Sequence, residues 1–235
     1  MPKRIVFLTG AGVSAESGLQ TFRDNGGLWD NYDPMVVASI EGWESNPGLV
    51  LDFYNVRRDG LAVSQPNLAH RLIAELERHY WVDVVTQNVD NLHERAGSSH
   101  VLHLHGELTK VRPENSCNAF DLYSEELVQD IGYGHVVLGD KAPNGSQLRP
   151  HIVFFGEAVP KMDEAVTLVE QADMLVIVGT SLQVYPAAGL YRYARPTTPI
   201  YIIDPAGTEL HDARVQVIKK PATEGMRELC DRLGE

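Results

Sequence analysis

The chain has 235 residues, 43% of them hydrophobic and 22% charged, which excludes large-scale disorder and permits one large domain or a domain with a smaller inserted module. A formal net charge of −12 argues against nucleic-acid partners, because affinity for a phosphate backbone comes from clustered Lys and Arg. Without a signal-peptide pattern or an apolar run of about 20 residues, we expect a cytoplasmic protein with no membrane partner, and two cysteines do not support a disulfide scaffold.

Apolar runs of strand length recur along the chain, at 4–9, 82–86, 101–105, 174–179 and 199–204. Because the runs are continuous rather than alternating, they are typical of parallel strands covered on both faces. Helical patterns lie between them, at 66–80 after Pro66 and at 160–173 after Pro160. The sequence therefore predicts an α/β fold, a Rossmann-like parallel sheet with helices on both faces.

Two stretches fit this alternation poorly. Residues 30–64 look like inserted helices, with 46–63 the clearest, and residues 107–150 are turn-rich and irregular. Since a long structureless loop is improbable within one core, we assign both stretches to a small module formed by two insertions. The Rossmann-like domain then comprises 1–29, 65–106 and 151–235.

The turn after the first strand carries Gly10, Gly12 and Ala15 in G-x-G-x-x-A spacing. Glycines there let backbone N–H groups approach a pyrophosphate at a helix N-terminus, although glycines also simply make tight turns. A hydride-carrier fingerprint would continue into a second strand and an acidic residue about 20 positions on. Residues 17–29 are polar and broken by glycine instead, which favours a long ordered loop over a nucleotide.

Polar side chains follow the runs at 82–86 and 101–105, namely Gln87, Asn88, Asp90 and His105. The carboxyl ends of parallel strands meet at one edge of a sheet, so these groups converge on one crevice. Alternatively, Asn88 and Asp90 cap a helix at 90–96, and His105 is an ordinary buried histidine. An imidazole at a strand end is also suited to acid/base chemistry, because its pKa lies near neutrality.

Five segments together resemble the successive signature motifs of the sirtuins, NAD-dependent protein lysine deacylases. They are GAGVSAESGLQTFR (10–23), TQNVDNLHERAG (86–97), LHLHGEL (102–108), LRPHIVFFGE (148–157) and GTSLQVYPAAG (179–189). The resemblance implies that NAD is consumed: the acyl oxygen of a modified lysine attacks the ribose carbon that carries nicotinamide. Nicotinamide and O-acyl-ADP-ribose are then released.

By this resemblance His105 is the catalytic base, Asn88 and Asp90 line the nicotinamide pocket, and Phe22 and Arg23 shield the reacting carbon from water. The turn at 10–14 binds the phosphates of NAD, and the loop at 219–225 closes over its adenine. The residues expected to contact NAD are Gly10, Ala11, Gly12, Ser14, Ala15, Phe22, Arg23, Trp29, Gln87, Asn88, Asp90, Gly179, Thr180, Ser181, Asp204, Ala222 and Thr223.

The resemblance also implies the substrate side of the site. The segment Val153, Phe154, Phe155, Gly156 and Glu157 would pair with the substrate peptide as an added strand. In the sirtuin branch that removes acidic acyl groups, a Tyr-x-x-Arg pair binds the acyl carboxylate.

Here the matching pair is Tyr54 and Arg57, three residues apart on one helix face. We therefore expect succinyl- or malonyl-lysine as substrate, with acetyl-lysine also accepted. A packed Tyr beside a surface Arg is the alternative.

The chain departs from the family pattern at two places. Most sirtuins bind zinc through two Cys-x-x-Cys pairs, but 107–150 contains only Cys117, and adding His135 does not complete a site. We expect no zinc. Where family members often carry Asn against the adenine ribose, this chain has Ile202, so Asp204 is expected to accept from the ribose hydroxyls instead.

Two other functions stay open at this level. One is a protein mono-ADP-ribosyltransferase on the same scaffold, and the other is a non-catalytic sensor of NAD or ADP-ribose. The presence of Asn88, Asp90 and His105 together counts against the sensor, which needs no general base.

Overall fold

A computed structural model describes residues 2–21, 31–114, 127–207 and 210–235. Its strands are, in chain order, β1 (Arg4–Thr9), β2 (Trp81–Thr86), β3 (Val101–His103), β4 (Gly106–Pro113), β5 (Gln129–Asp130), β6 (Leu148–Ile152), β7 (Met174–Val178), β8 (Ile200–Ile203) and β9 (Val215–Ile218). Six of them form one sheet in the order β3-β2-β1-β7-β8-β9, and every pairing in it is parallel. The predicted Rossmann-like sheet is confirmed.

Both faces of this sheet are buried, as the continuous apolar runs require. In β1, Ile5 and Phe7 join one hydrophobic cluster, whereas Val6 and Leu8 join another, because successive side chains point to opposite faces. The C-terminal helix covers the first face and helix Met162–Gln171 covers the second. Helices therefore lie on both faces, also as predicted.

The helices lie close to their predicted positions but are shorter. The pattern at 66–80 becomes Leu68–Glu75 and a 3-10 turn, because the Asn67 side chain accepts from the N–H of Ala69 and caps the helix there. In the described ranges, no helix combines the length and apolarity needed to cross a membrane. The helices are Gly12–Ala15, Pro34–Val37, Ile40–Ser45, Pro47–Val63, Leu68–Glu75, Leu92–Ala96, Met162–Gln171 and Ala222–Leu233, with 3-10 turns at Leu76–Arg78 and Ala187–Tyr193.

The expectation that 107–150 is irregular is wrong at 107–113, 129–130 and 148–150, which are strands, whereas 131–147 consists mostly of turns and irregular backbone. β4 pairs antiparallel with β5 and β6 in a second sheet of order β5-β4-β6. Sequence patterning failed because these strands contain Pro113 and Pro150, and because Arg112 and Arg149 are buried although charged. Both guanidinium groups pair with the Glu157 carboxylate, which permits their burial.

Helix Pro47–Val63 packs on this second sheet through a third hydrophobic cluster. Two of its buried polar residues fasten it there: Arg58 Nε donates to the Leu108 carbonyl at 2.8 Å, and Asn55 Nδ2 donates to the Val136 carbonyl at 2.9 Å. Residues from both predicted insertions thus share one core, while the division into two domains stays a prediction.

The chain cannot form a four-cysteine zinc site, since Cys117 and Cys230 are its only cysteines. Cys117 lies outside the described residues, and Cys230 lies in the C-terminal helix. Among the residues that are described, no three His, Cys, Asp or Glu side chains gather as metal ligands would. That zinc is absent from the protein stays a prediction.

Candidate active site

The glycine-rich turn after β1 lies directly against the turn after β7. Gly10 N donates to the Val178 carbonyl at 3.0 Å, and Gly12 N donates to the Gly179 carbonyl at 2.8 Å. A Cβ on Gly12 would lie 2.7 Å from Gly179 Cα, and Gly179 itself has φ of 62°. Glycine is therefore required for the two turns to touch, whether or not they bind phosphate.

Ser14 gathers the polar residues at the carboxyl edge of the sheet. Its hydroxyl donates to Asp90 Oδ2 at 3.0 Å and accepts from Asn88 Nδ2 at 3.2 Å. The structure thus brings together three residues predicted for the NAD site, from the turn after β1 and the segment after β2. Asp90 also accepts from the N–H of Leu92 at 3.1 Å, so the helix-capping alternative holds as well.

His70 completes this network and was missed by the sequence analysis. The N–H of Asn67 donates to His70 Nδ1 at 3.3 Å, which leaves the proton on Nε2, 3.3 Å from Ser14 Oγ. Burial lowers the pKa of His70 to about 4, so the ring is neutral. Ser14 Oγ then has two donors and one acceptor around it, which satisfies a hydroxyl completely.

His93 is a second buried histidine of the same edge. Its ring centroid lies 4.8 Å from that of His70, and its Nε2 lies 3.1 Å from Thr9 Oγ1. Burial and the neighbouring His70 lower its pKa well below the usual value. The network is therefore built from uncharged imidazoles.

His105 is held in the tautomer that a general base needs. Its Nδ1 lies 3.1 Å from the Gln87 carbonyl, an obligate acceptor, so Nδ1 carries the proton and Nε2 carries the lone pair. Burial lowers the pKa of His105, which keeps the imidazole neutral. Gln87 in turn donates to Thr180 Oγ1 at 3.0 Å and so links the ends of β2 and β7.

Asp90 is a buried carboxyl, 7% exposed. Burial raises its pKa, and the hydrogen bonds from Leu92 and Ser14 offset only part of that rise. A buried acid of this kind favours a cationic neighbour.

Tyr54 and Arg57 lie one turn apart on helix Pro47–Val63, with the Arg57 guanidinium 5.6 Å from the Phe53 ring centroid. Tyr54 packs against Phe53 and Phe154, with ring centroids 5.1 and 5.9 Å away, and burial raises its pKa to about 12. Burial also lowers the pKa of Arg57, while the charges of Tyr54 and Asp90 raise it in part. Arg57 is half-buried and its charge interacts with that of Asp90, so the alternative of a packed Tyr beside a surface Arg stays open.

The segment 153–157 forms no strand of its own within the described residues, and its pairing with a substrate peptide stays a prediction. β6 ends at Ile152, and Val153 N donates to the His105 carbonyl at 2.9 Å. Phe155 makes one isolated bridge, with its N–H bound to the Ala38 carbonyl. Gly156 then adopts φ of 92°, which an extended strand does not allow.

At the predicted adenine end of the site, both hydrogen-bond donors of Thr223 already have a partner within the protein. Thr223 N and Oγ1 donate to the Glu16 carboxylate at 2.9 and 2.7 Å. Ala222 is buried, and Asp204 Oδ1 accepts from the N–H of Ala206 at 2.9 Å, as in a turn. Their contacts with NAD stay a prediction, and Phe22, Arg23 and Trp29 lie outside the described residues.

Comparison with known proteins gives a consistent result. The profile of the Sir2 family matches residues 10–186. An NAD-dependent protein deacylase of Bacteroides thetaiotaomicron is 54% identical over 97% of this chain and 96% of its own length. One from Helicobacter pylori is 53% identical over 99% and 98%, respectively.

Among solved structures, a Sir2 homologue in complex with NAD superposes with a TM-score of 0.86 at 38% identity, covering 99% of this chain and 90% of that one. These matches extend over the whole fold and the crevice described above. The chain therefore belongs to the Sir2 family of NAD-dependent protein deacylases.

Proposed function

We propose that the enzyme removes acidic acyl groups, succinyl or malonyl, from lysine side chains of proteins, and that it also accepts acetyl-lysine. The observation that carries this proposal is the placement of Tyr54 and Arg57 one turn apart on helix Pro47–Val63, with the Tyr54 ring packed on Phe154 and the Arg57 guanidinium close enough to Asp90 for their charges to interact. A carboxylate entering a crevice that already contains the Asp90 carboxyl needs a cation beside it.

The crevice also suits a dinucleotide. Asn88, Gln87 and Thr180 bring amide and hydroxyl groups to the carboxyl edge of the sheet, where ribose and amide groups of a ligand find hydrogen-bond partners, while Ser14 holds Asn88 from within the protein. When bound, NAD supplies a ribose carbon that loses nicotinamide and an ADP-ribose that takes the acyl group away. The protein supplies position and a proton acceptor.

His105 is the proton acceptor in this proposal. Its Nδ1 proton is fixed by the Gln87 carbonyl, so Nε2 presents a lone pair, and its lowered pKa keeps that lone pair available at neutral pH. Asn88 and Asp90 hold the nicotinamide side of the crevice, and Ser14 orients both of their side chains.

Arg57 and Tyr54 together bind the acyl carboxylate. The guanidinium offers a planar pair of donors, and the raised pKa of Tyr54 keeps its phenol protonated as a further donor. Charge-assisted hydrogen bonds contribute about 1.5–3 kcal/mol, which corresponds to roughly 10- to 100-fold in discrimination.

The test compares succinyl, malonyl and acetyl versions of one peptide with NAD, for the wild type and Arg57→Met. We expect kcat/KM for the two acidic acyl groups to fall by roughly 10- to 100-fold, with acetyl changing by less than about threefold. Arg71→Met is the matched control, because Arg71 is exposed on helix Leu68–Glu75 and binds only the Pro66 carbonyl among the described groups.

An equal effect of Arg57→Met on all three peptides would refute the acyl clamp. Label from NAD on the protein, without acyl-ADP-ribose, would indicate the ADP-ribosyltransferase instead. Binding of NAD without release of nicotinamide from any peptide would indicate the sensor.

A further inference from the structure

Three consecutive carbonyls after β2 are each held by a hydrogen bond. The Gln87 carbonyl binds His105 Nδ1 at 3.1 Å, the Asn88 carbonyl lies 2.9 Å from His103 Nδ1, and the Val89 carbonyl accepts from Leu108 N at 2.7 Å. His103 and His105 alternate along the chain, so both rings lie on one side of it. The segment that carries Asn88 and Asp90 is therefore fixed by its backbone.

His103 differs from His105 at its second nitrogen. His103 Nε2 lies 2.7 Å from Glu94 Oε1, whereas His105 Nε2 has no hydrogen-bond partner among the described residues. Both neighbours of the His103 ring are obligate acceptors, a carbonyl and a carboxylate. Such a ring must carry protons on both nitrogens, and it is therefore an imidazolium.

The surroundings of His103 favour that charge. Burial lowers its pKa, but the hydrogen bond and charge of Glu94, with Glu107 on β4, outweigh burial and leave the pKa raised. Reciprocally, burial raises the pKa of Glu94, but His103 outweighs burial and leaves it lowered.

The His103 charge also acts on Asp90 and His93. A cavity of about 380 Å³ beside the ring is lined by further charged or titratable groups, Glu107, Arg112, His151 and Lys161.

We propose that His103 is a positioning residue for deacylation, which, as an imidazolium clamped by Glu94, holds the Asn88 carbonyl and with it the Asn88 and Asp90 side chains. The inference rests on the roles proposed above for those residues and for His105. His103 contacts no reacting atom, and it acts only through the 87–90 segment.

The clamp makes a specific prediction for alkaline pH. When the imidazolium loses a proton, the carboxylate of Glu94 is the stronger acceptor and keeps the remaining proton on Nε2. Nδ1 then turns a lone pair toward the Asn88 carbonyl, and that hydrogen bond is lost. The pKa of His103 is raised. The hydrogen bond from His103 to the Asn88 carbonyl is therefore present below that pKa and is lost as pH rises through it.

Glu94→Gln separates positioning from mere structural support. A Gln amide at this place can donate to Nε2, so a neutral His103 keeps its proton on Nδ1. The hydrogen bond from Nδ1 to the Asn88 carbonyl is then kept at every alkaline pH. We therefore expect Glu94→Gln to stay within about threefold of wild-type kcat/KM at neutral pH and to lose the alkaline decline. His103→Phe removes both donors and should reduce kcat/KM by roughly 10- to 100-fold at all pH values.

Glu107→Gln is the matched control, since it removes a charge facing His103 without contacting Nε2. Its alkaline decline should move to lower pH rather than disappear. NMR of the imidazole nitrogens gives a readout independent of turnover. At alkaline pH the wild type should show the Nε2–H tautomer of His103, and Glu94→Gln should show Nδ1–H.

An alkaline limb that Glu94→Gln leaves unchanged, or the same tautomer in both proteins, would overturn the proposal. So would a folded His103→Phe enzyme with wild-type kcat/KM. All rates are measured with the acyl peptide that the wild type turns over fastest, so failure of the acidic-acyl proposal does not affect this result. Retained turnover in His105→Ala would instead refute the assigned site roles.

Discussion

Three histidines at the sheet edge and two buried arginines of the smaller antiparallel sheet differ in charge state. At the edge of the parallel sheet, His70, His93 and His105 have lowered pKa values and are neutral. Around β4 and β6, Arg112 and Arg149 are buried as cations against Glu157. Both regions are packed and mostly dry, so burial alone does not decide the charge state.

The difference follows from the partners that each region offers. The edge supplies hydroxyls and a carbonyl, each of which forms a modest hydrogen bond with one nitrogen of a neutral imidazole. At the second sheet the partner is the Glu157 carboxylate. Each of its two oxygens accepts a hydrogen bond from Arg149, at 2.8 and 3.0 Å.

The largest expected effect tests the neutral region. His105→Ala should lower deacylase kcat/KM by about 10²–10⁴, because it removes the base whose tautomer the Gln87 carbonyl fixes. Steady-state assays with the preferred acyl peptide measure this loss. His100→Ala, at an exposed ring stacked on Trp81, is the control and should retain activity. Loss of less than about tenfold in His105→Ala would contradict the assignment.

The next effect tests the charged region. Glu157→Gln leaves Arg112 and Arg149 as buried cations without a carboxylate, so the free energy of unfolding should fall by about 3–5 kcal/mol. Urea denaturation measures it. In Glu228→Gln, the lost ion pairs with Lys220 and Arg232 are exposed, and we expect little change. Similar losses in both variants would remove the contrast between buried and exposed pairs.

The smallest effect is a pH dependence that compares the two regions directly. His70 must be deprotonated in the folded state down to pH about 4, whereas an unfolded histidine takes up a proton near pH 6.5. The unfolded state therefore binds more protons between these values, and stability falls as pH drops through this window, by about 3 kcal/mol for His70.

Urea unfolding at a series of pH values checks this slope, with His70→Gln as the variant that should flatten it. The same series in Glu157→Gln should keep the part of the slope that His70 contributes. A wild-type stability that is constant from pH 6.5 to 4 would show that the imidazoles are not held neutral.

The sequence predicted one of these regions far better than the other. Continuous apolar runs found β1, β2, β3, β7 and β8, because a strand covered on both faces must be apolar throughout. They missed β9 (Val215–Ile218), a four-residue strand at the edge of the sheet that contains the polar Gln216. The runs also missed β4 and β6. These strands contain arginines that are buried by pairing with Glu157, and from sequence alone an arginine is expected at the surface.

The site divides in the same way. Motif order brought Ser14, Asn88 and Asp90 into one predicted crevice, and the structure places their side chains in hydrogen-bond contact. His70 and Glu94 were missed, since their partners lie 56 and 9 residues away, respectively, and nothing local in the sequence marks them. The alternation of His103 and His105 was the available signal, and it was interpreted for His105 alone.

The contact among Gly10, Gly12 and Gly179 has a consequence for ligand affinity. Backbone hydrogen bonds join Gly10 to Val178 and Gly12 to Gly179, so the shape of the turn is inherent in the folded polypeptide. If the dinucleotide binds at this turn, as proposed, it meets a preorganised surface, and its association constant is not diminished by immobilising that turn. Damage from a side chain at Gly12 should consequently appear in the unliganded protein, as lost folding, before any measurement of binding.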